Sequence, residues 1–157
     1  KIIHKIKPKV ILMSDKVKTN VSIELEKDMI FKCDMGEMAL EDCYIDETNQ
    51  EEADKWGPNP TRLLGTALLG CLSSSFVFCM KKRDFTIEDL KAEAEVVIGR
   101  NEKGFLRVLQ INVNITPKID TPEMRKRADR CKKMFEDYCT VTAAVREGID
   151  VDVKLNY

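Results

Sequence analysis

Gly57–Met80 reads GPNPTRLLGTALLGCLSSSFVFCM, and from Leu63 to Met80 it carries no charged side chain. Pro58, Asn59 and Pro60 punctuate the start of a helix. Lys81, Lys82 and Arg83 close it, where cations suit the negative end of the helix dipole. Leu64, Ala67, Leu68, Cys71, Ser75 and Phe78 fall on one stripe at helical spacing. The run is long enough to be weighed as a membrane span. It nevertheless contains Gly65, Thr66, Gly70 and Ser73–Ser75, and no second apolar run follows. The expectation is a buried central helix and no membrane partner.

A second stretch, Tyr138–Val153 (YCTVTAAVREGIDVDV), puts Cys139 just before a short helix over Thr140–Arg146. Gly148 stops that helix, and Ile149–Leu155 reads as a final strand. Upstream, Val21–Leu25 and Met29–Met35 read as strands joined by a tight hairpin at Lys27–Asp28. Phe31 and Cys33 alternate with Lys32 and Asp34, which makes Cys33 a core candidate. Cys43 lies in a third strand, LEDCYIDE, and Thr48–Lys55 is a polar loop or turn. Thr86–Ile98 and Phe105–Ile115 read as long strands around a GRNEKG turn. Thr121 and Pro122 open a further helix, with Met124, Ala128, Cys131, Phe135 and Tyr138 as its apolar face. Strands, helix, strands, helix, strand is an α+β order, not repeating βαβ.

The 157 residues fit one domain, 1–157, in which residues 1–16 form an N-terminal extension, either an added strand or a tail. A hydrophobic fraction of 43% with 34% charged residues describes a folded chain. The net charge of −1 gives no drive toward nucleic acid. The basic segment Arg125–Lys133 reads as a solvated helix face. No signal peptide is read at the N-terminus, and six cysteines without one imply a cytoplasmic, mostly reduced protein.

Several chemistries lack their residues. The single histidine, His4, offers no plausible base for a Ser-His-Asp or Cys-His arrangement. No phosphate-binding glycine loop, CxxC pair or zinc spacing occurs, so neither metal nor cofactor is expected. The cysteines remain. Cys33 and Cys131 read as packing residues. Cys79 lies two helical turns beyond Cys71, about 12 Å along the axis, too far for a bond between them. Nothing local forbids Cys71 from meeting Cys139.

GPNPTRLLGTALLGCLSS resembles the signature of the OsmC/Ohr family, in which a Pro-opened helix carries a reactive cysteine. YCTVTAAVREGIDVDVKL resembles that family's second motif, although Thr140 stands where Pro is usual. The resemblance spans Val21–Leu155. It implies an intertwined homodimer with antiparallel sheets wrapped around central helices. It also implies a peroxidase acting on organic hydroperoxides in oxidative-stress defence. Carried over, Cys71 is the peroxide-attacking residue and Cys139 the resolving one. An external dithiol, lipoyl-linked or thioredoxin-like, reduces the resulting disulfide.

The family usually activates its cysteine with an Arg from an early strand, held by a Glu near the reactive helix. Here Thr61 and Arg62 stand where the acid is expected, and Val21–Leu25 holds no Arg. Arg62, Leu68 and Phe78 are the candidate substrate-pocket residues. Two rival readings keep the scaffold without the catalysis. In one, a small hydrophobic ligand occupies the dimer cleft; in the other, the cysteines serve a redox sensor.

Overall fold

The computed structural model describes residues 19–27, 30–36, 42–48 and 56–157. The expected extension at 1–16, Asp28 of the expected hairpin turn, Met29 and residues 49–55 of the expected loop lie outside the described residues. Strands β1 (Ser22–Lys27), β2 (Ile30–Asp34) and β3 (Cys43–Asp46) form an antiparallel sheet in that order. Strands β4 (Leu90–Arg100) and β5 (Leu106–Pro117) form a long antiparallel ribbon. Helix α1 spans Pro60–Lys81, α2 spans Pro122–Cys131 and α3 spans Thr140–Glu147. A 3-10 turn at Phe135–Tyr138 links α2 to α3. The α+β class with antiparallel sheets is as the sequence implies.

The local chemistry explains the boundaries. Asn59 caps α1 by accepting a hydrogen bond from the Arg62 N–H at 3.0 Å, and Pro60 occupies the first turn. Thr121 caps α2 through the Met124 N–H at 3.1 Å. Asn101 shapes the β4–β5 turn by accepting from the N–H groups of Lys103 and Phe105, and Gly104 takes a φ of +81°. Gly57 lies so close to β3 that a Cβ there would sit 2.0 Å from the Tyr44 carbonyl oxygen. The Asp46 N–H bonds the Pro58 carbonyl at 3.2 Å, which ties the start of α1 to that strand.

Helix α1 is long and apolar enough to cross a membrane by length and composition. Here its buried side carries Gly65, Leu68, Leu72, Ser75, Phe76, Cys79 and Met80. Gly65 lets it approach Val96 of β4, and Phe76 meets Phe135 edge to face at 5.8 Å. The buried stripe is rotated from the expected one. Ala67 and Phe78 face outward, because α2 and the 3-10 turn approach the side that carries Phe76, Cys79 and Met80.

Four further expectations change. Strand β4 begins at Leu90, not Thr86, because Phe85 and Ile87 turn into the core cluster instead of the ladder. Helix α2 ends at Cys131, where that residue is bonded to α1, and Phe135 reaches the core from a separate turn. Cys33 is half-buried on its sheet; Ile30 is the buried residue of β2. Ile149–Leu155 forms no strand, since no described strand edge meets it. Ile149 and Val153 are 73% and 83% exposed.

The largest departure concerns Cys79 and Cys131. They are joined in a disulfide with a Cα–Cα distance of 5.8 Å. Cys131 is therefore more than a packing residue, and the cysteines are not all reduced. Both are buried in the main core cluster with Phe76, Met80 and Ala128. The Arg127 guanidinium donates to the Cys79 carbonyl and lies 3.4 Å from its sulfur. The bridge spans 52 residues, and a loop of that length corresponds to about 4 kcal/mol in the chain-entropy account of cross-links. Urea unfolding of the Cys79→Ala/Cys131→Ala protein should show a loss of about this size. An unchanged midpoint would mean that the bridge contributes no stability.

Candidate active site

Two sulfur atoms meet where α3 begins. Cys71 projects from mid-α1, and Cys139 is the residue that caps α3. Their side chains are hydrogen-bonded to each other. The Cys139 sulfur also accepts from the Thr142 N–H at 3.3 Å and from the Thr142 hydroxyl at 3.0 Å. Cys71 receives the N–H groups of Val141 and Thr140. The first turn of α3 thus aims its otherwise unpaired N–H groups at both sulfurs. A helix start is the positive end of the dipole, so the placement favours negative charge there. The two chains of contact converge because α3 packs directly on α1.

The electrostatics separate the two thiols. Burial pushes the Cys71 thiol up, and the hydrogen bond to Cys139 pushes it further, against the pull of the Val141 and Thr140 N–H groups. Burial also opposes ionisation of Cys139, but the hydrogen bonds from Cys71 and Thr142 outweigh it and bring this thiol down. Such a pair titrates as a unit. Within it, ionisation is disfavoured at Cys71 and favoured at Cys139. The groups acting most strongly on these sulfurs are peptide N–H groups, one hydroxyl and the other thiol, with no Lys or Arg among them. Cys139 is fully buried, whereas Cys71 is only half-buried.

An open cleft of about 480 Å³ lies between α1, β5 and α3, and neither Cys71 nor Cys139 is in its lining. Leu64, Leu68 and Leu72 form one wall, Val113 and Phe135 lie opposite, and Thr142, which holds the Cys139 sulfur, is in its lining. Glu136 and Arg146 form an ion pair at the same cleft. Of the sequence candidates, Cys71 and Cys139 meet each other at the start of α3, and Leu68 lines the cleft. Arg62 does not join them. It lies at the start of α1 beside a separate cavity of about 550 Å³ with Pro58, Asn59 and Leu69. Phe78 is exposed and lies under the Lys82 ammonium, 4.7 Å from the ring centre; that ammonium also sits 5.1 Å from the Tyr138 ring.

Sequence reasoning missed Thr142, Glu136 and Arg146. The signal for Thr142 was present: a residue three positions after a helix cap lies where its N–H returns to the cap side chain. Glu136 and Arg146 come from separate elements and had no such pattern. Among the described residues, no group of three or more His, Cys, Asp or Glu side chains is placed to hold a metal.

The sequence model of a family described as OsmC-like protein matches residues 50–154, a span that includes both cysteines. The sequence matches no curated protein. An OsmC-like protein of unknown function from Vibrio cholerae superposes with a TM-score of 0.66 at 10% identity, covering 82% of this chain and 94% of that one. The organic hydroperoxide resistance protein OhrB of Bacillus subtilis gives 0.62 at 20% identity, covering 89% and 98%. An organic hydroperoxide resistance protein from Elizabethkingia anophelis gives 0.60 at 17% identity, covering 88% and 94%. At these identities the structures establish a shared fold.

Thr142→Val removes one donor to the Cys139 sulfur and preserves side-chain shape. A hydrogen bond to a charged group is worth about 1.5–3 kcal/mol, so thiolate at neutral pH should fall by about tenfold or more. The thiolate absorbance band should titrate at higher pH than in the parent, while Thr142→Ser should retain the parent curve. Superimposable curves for Val and Thr would remove this hydroxyl from the account.

Proposed function

We propose that this chain, which belongs to the OsmC-like protein family, is a thiol peroxidase that reduces organic hydroperoxides in oxidative-stress defence. The observation that carries the reading is the hydrogen-bonded pair at the start of α3, with one sulfur half-buried and the other sealed. A peroxide reaches Cys71 and not Cys139. Cys139 holds the charge, and Cys71 holds the proton between them.

The chemistry follows from that division. As the Cys71 sulfur attacks the terminal peroxide oxygen, its proton passes to Cys139. The O–O bond breaks, Cys71 becomes a sulfenic acid, and the departing alkoxide takes up a proton and leaves as an alcohol. Cys139 then attacks the Cys71 sulfur. An S–S bond forms, and the sulfenic oxygen leaves as water. An external dithiol, lipoyl-linked or thioredoxin-like, restores both thiols by exchange and leaves as a disulfide. The peptide N–H groups of α3 do the work that an arginine would do, so the reading needs no cation at Thr61 or Arg62. The leucine wall of the cleft supports an organic substituent on the substrate.

The active form in this proposal is a cytoplasmic homodimer. Ile149, Val151, Val153 and Leu155 alternate with polar residues yet are all exposed, as are Ile23 and Leu25 on β1. An alternating apolar segment of that kind suits pairing with a second copy. The upward push on Cys71 favours a second reading, in which the cleft binds a small apolar ligand and the thiols are not turned over.

One equivalent of cumene hydroperoxide distinguishes them. The peroxidase reading expects a Cys71–Cys139 disulfide within seconds by mass spectrometry, faster than with hydrogen peroxide. Cys71→Ser should abolish peroxide consumption. Cys139→Ser should consume a single equivalent and stop at oxidised Cys71. Unreacted thiols at both positions would sink the peroxidase and leave the ligand-binding reading.

A further inference from the structure

Two thiols on the three-stranded sheet are used by neither the core bridge nor the active site. In the β2–β3 ladder Cys33 and Cys43 are direct cross-strand partners. The Cys33 thiol donates to the Phe31 carbonyl at 3.7 Å, its ionisation is also influenced by the Cys43 side chain, and both cysteines are half-buried. Opposed residues in an antiparallel pair have Cα atoms about 4.5 or 5.5 Å apart, according to whether the pair is hydrogen-bonded. A disulfide requires about 4.4–6.8 Å. The ladder therefore holds the two Cα atoms within the range that a disulfide needs.

The surroundings fix that register. Lys32, next to Cys33, pairs with Asp42, next to Cys43, at 3.3 Å. Phe31 and Ile45 face each other two residues further along the ladder, on the same face as the cysteines. A small cavity of about 180 Å³ opens beside Cys33 between Ile23 and Asp34, and Cys43 is itself only partly covered, so a small reagent can reach it. With this pair, the six cysteines of the chain sort into three: Cys79–Cys131 closed, Cys71 with Cys139, and Cys33 with Cys43.

We propose that Cys33 and Cys43 form a second reversible redox site, closed into a cross-strand disulfide by exchange with low-molecular-weight disulfides. The inference goes beyond the peroxidase reading and does not depend on it. Burial, reinforced by the neighbouring Cys43, pushes the Cys33 thiol up, which suits Cys33 to the second step. Cys43 attacks one sulfur of the small disulfide, whose S–S bond breaks and releases a thiolate. The Cys33 thiol then gives its proton to water, and its sulfur attacks the Cys43 sulfur. The new S–S bond expels the second thiolate. The cysteine pair loses two electrons and two protons, and the small disulfide leaves as two thiols. Closure locks β2 to β3, the strand whose Tyr44 and Asp46 dock the start of α1.

The test uses the full chain carrying Cys71→Ser and Cys139→Ser, so that only one open pair remains. Incubation with 2-hydroxyethyl disulfide, then alkylation and non-reducing peptide mapping, should show both remaining thiols lost together. A peptide linking Cys33 to Cys43 should appear, and dithiothreitol should restore both thiols. In the further variant Cys33→Ser, Cys43 should instead retain the reagent as a stable mixed disulfide. The same linking peptide should appear in the parent protein, which covers a failure of the double variant to fold. Stable mixed disulfides at both residues, cross-links between chains, or two thiols still free would each overturn the proposal.

Discussion

Helix α1 cannot be left bare, and the rest of the second half of the chain is arranged by that requirement. Its long uncharged run needs cover on several sides. The β4–β5 ribbon, α2, the 3-10 turn and α3 all pack on it. Burying apolar surface drives this assembly at about 25 cal/mol per Å². Because the cover comes from elements far apart in sequence, the same helix gathers residues that no local pattern connects. Cys79 meets Cys131 and Cys71 meets Cys139 for that reason.

How far the sequence could be read follows from the same point. The caps at Asn59 and Thr121, the Gly148 stop and the β4–β5 turn were legible, because each is local chemistry within a few residues. The Cys71–Cys139 pairing was reached through two motifs resembling a known family. The Cys79–Cys131 bridge was not legible. Its partners are 52 residues apart and their spacing carries no signal. The facing of α1 was misjudged at Phe78 for a related reason. A helix apolar on several sides does not reveal which side its neighbours will take. The final strand failed differently. Its alternation is plain, but a strand exists only where a second edge supplies hydrogen bonds.

The site departs from the expected electrostatics in an instructive way. The resemblance leads one to expect an acid where Thr61 and Arg62 stand and an arginine in an early strand, whereas here the N–H groups of α3 approach both sulfurs. Peptide dipoles fixed in a helix turn stabilise charge without the flexibility and desolvation cost of a long cationic side chain. In the proposed mechanism the charge sits on the deeper sulfur, so solvent and adventitious oxidants would meet a protonated thiol, which is a poor nucleophile until its proton moves inward.

The close approach of Gly57 to Tyr44 has a mechanical meaning. Strands β1, β2 and β3 make their contacts chiefly with one another. Among the described residues, their attachment to the rest of the chain includes the Trp56 ring on Tyr44, the glycine beneath that carbonyl and the Asp46–Pro58 bond. Among the described residues, the cross-linked body and this sheet therefore resemble a frame and a panel joined near Tyr44 and Asp46. Local opening takes the least stable unit first. The panel's backbone amides should exchange with deuterium in a faster tier than those of α1, in a native state that opens at its edge long before its frame gives way.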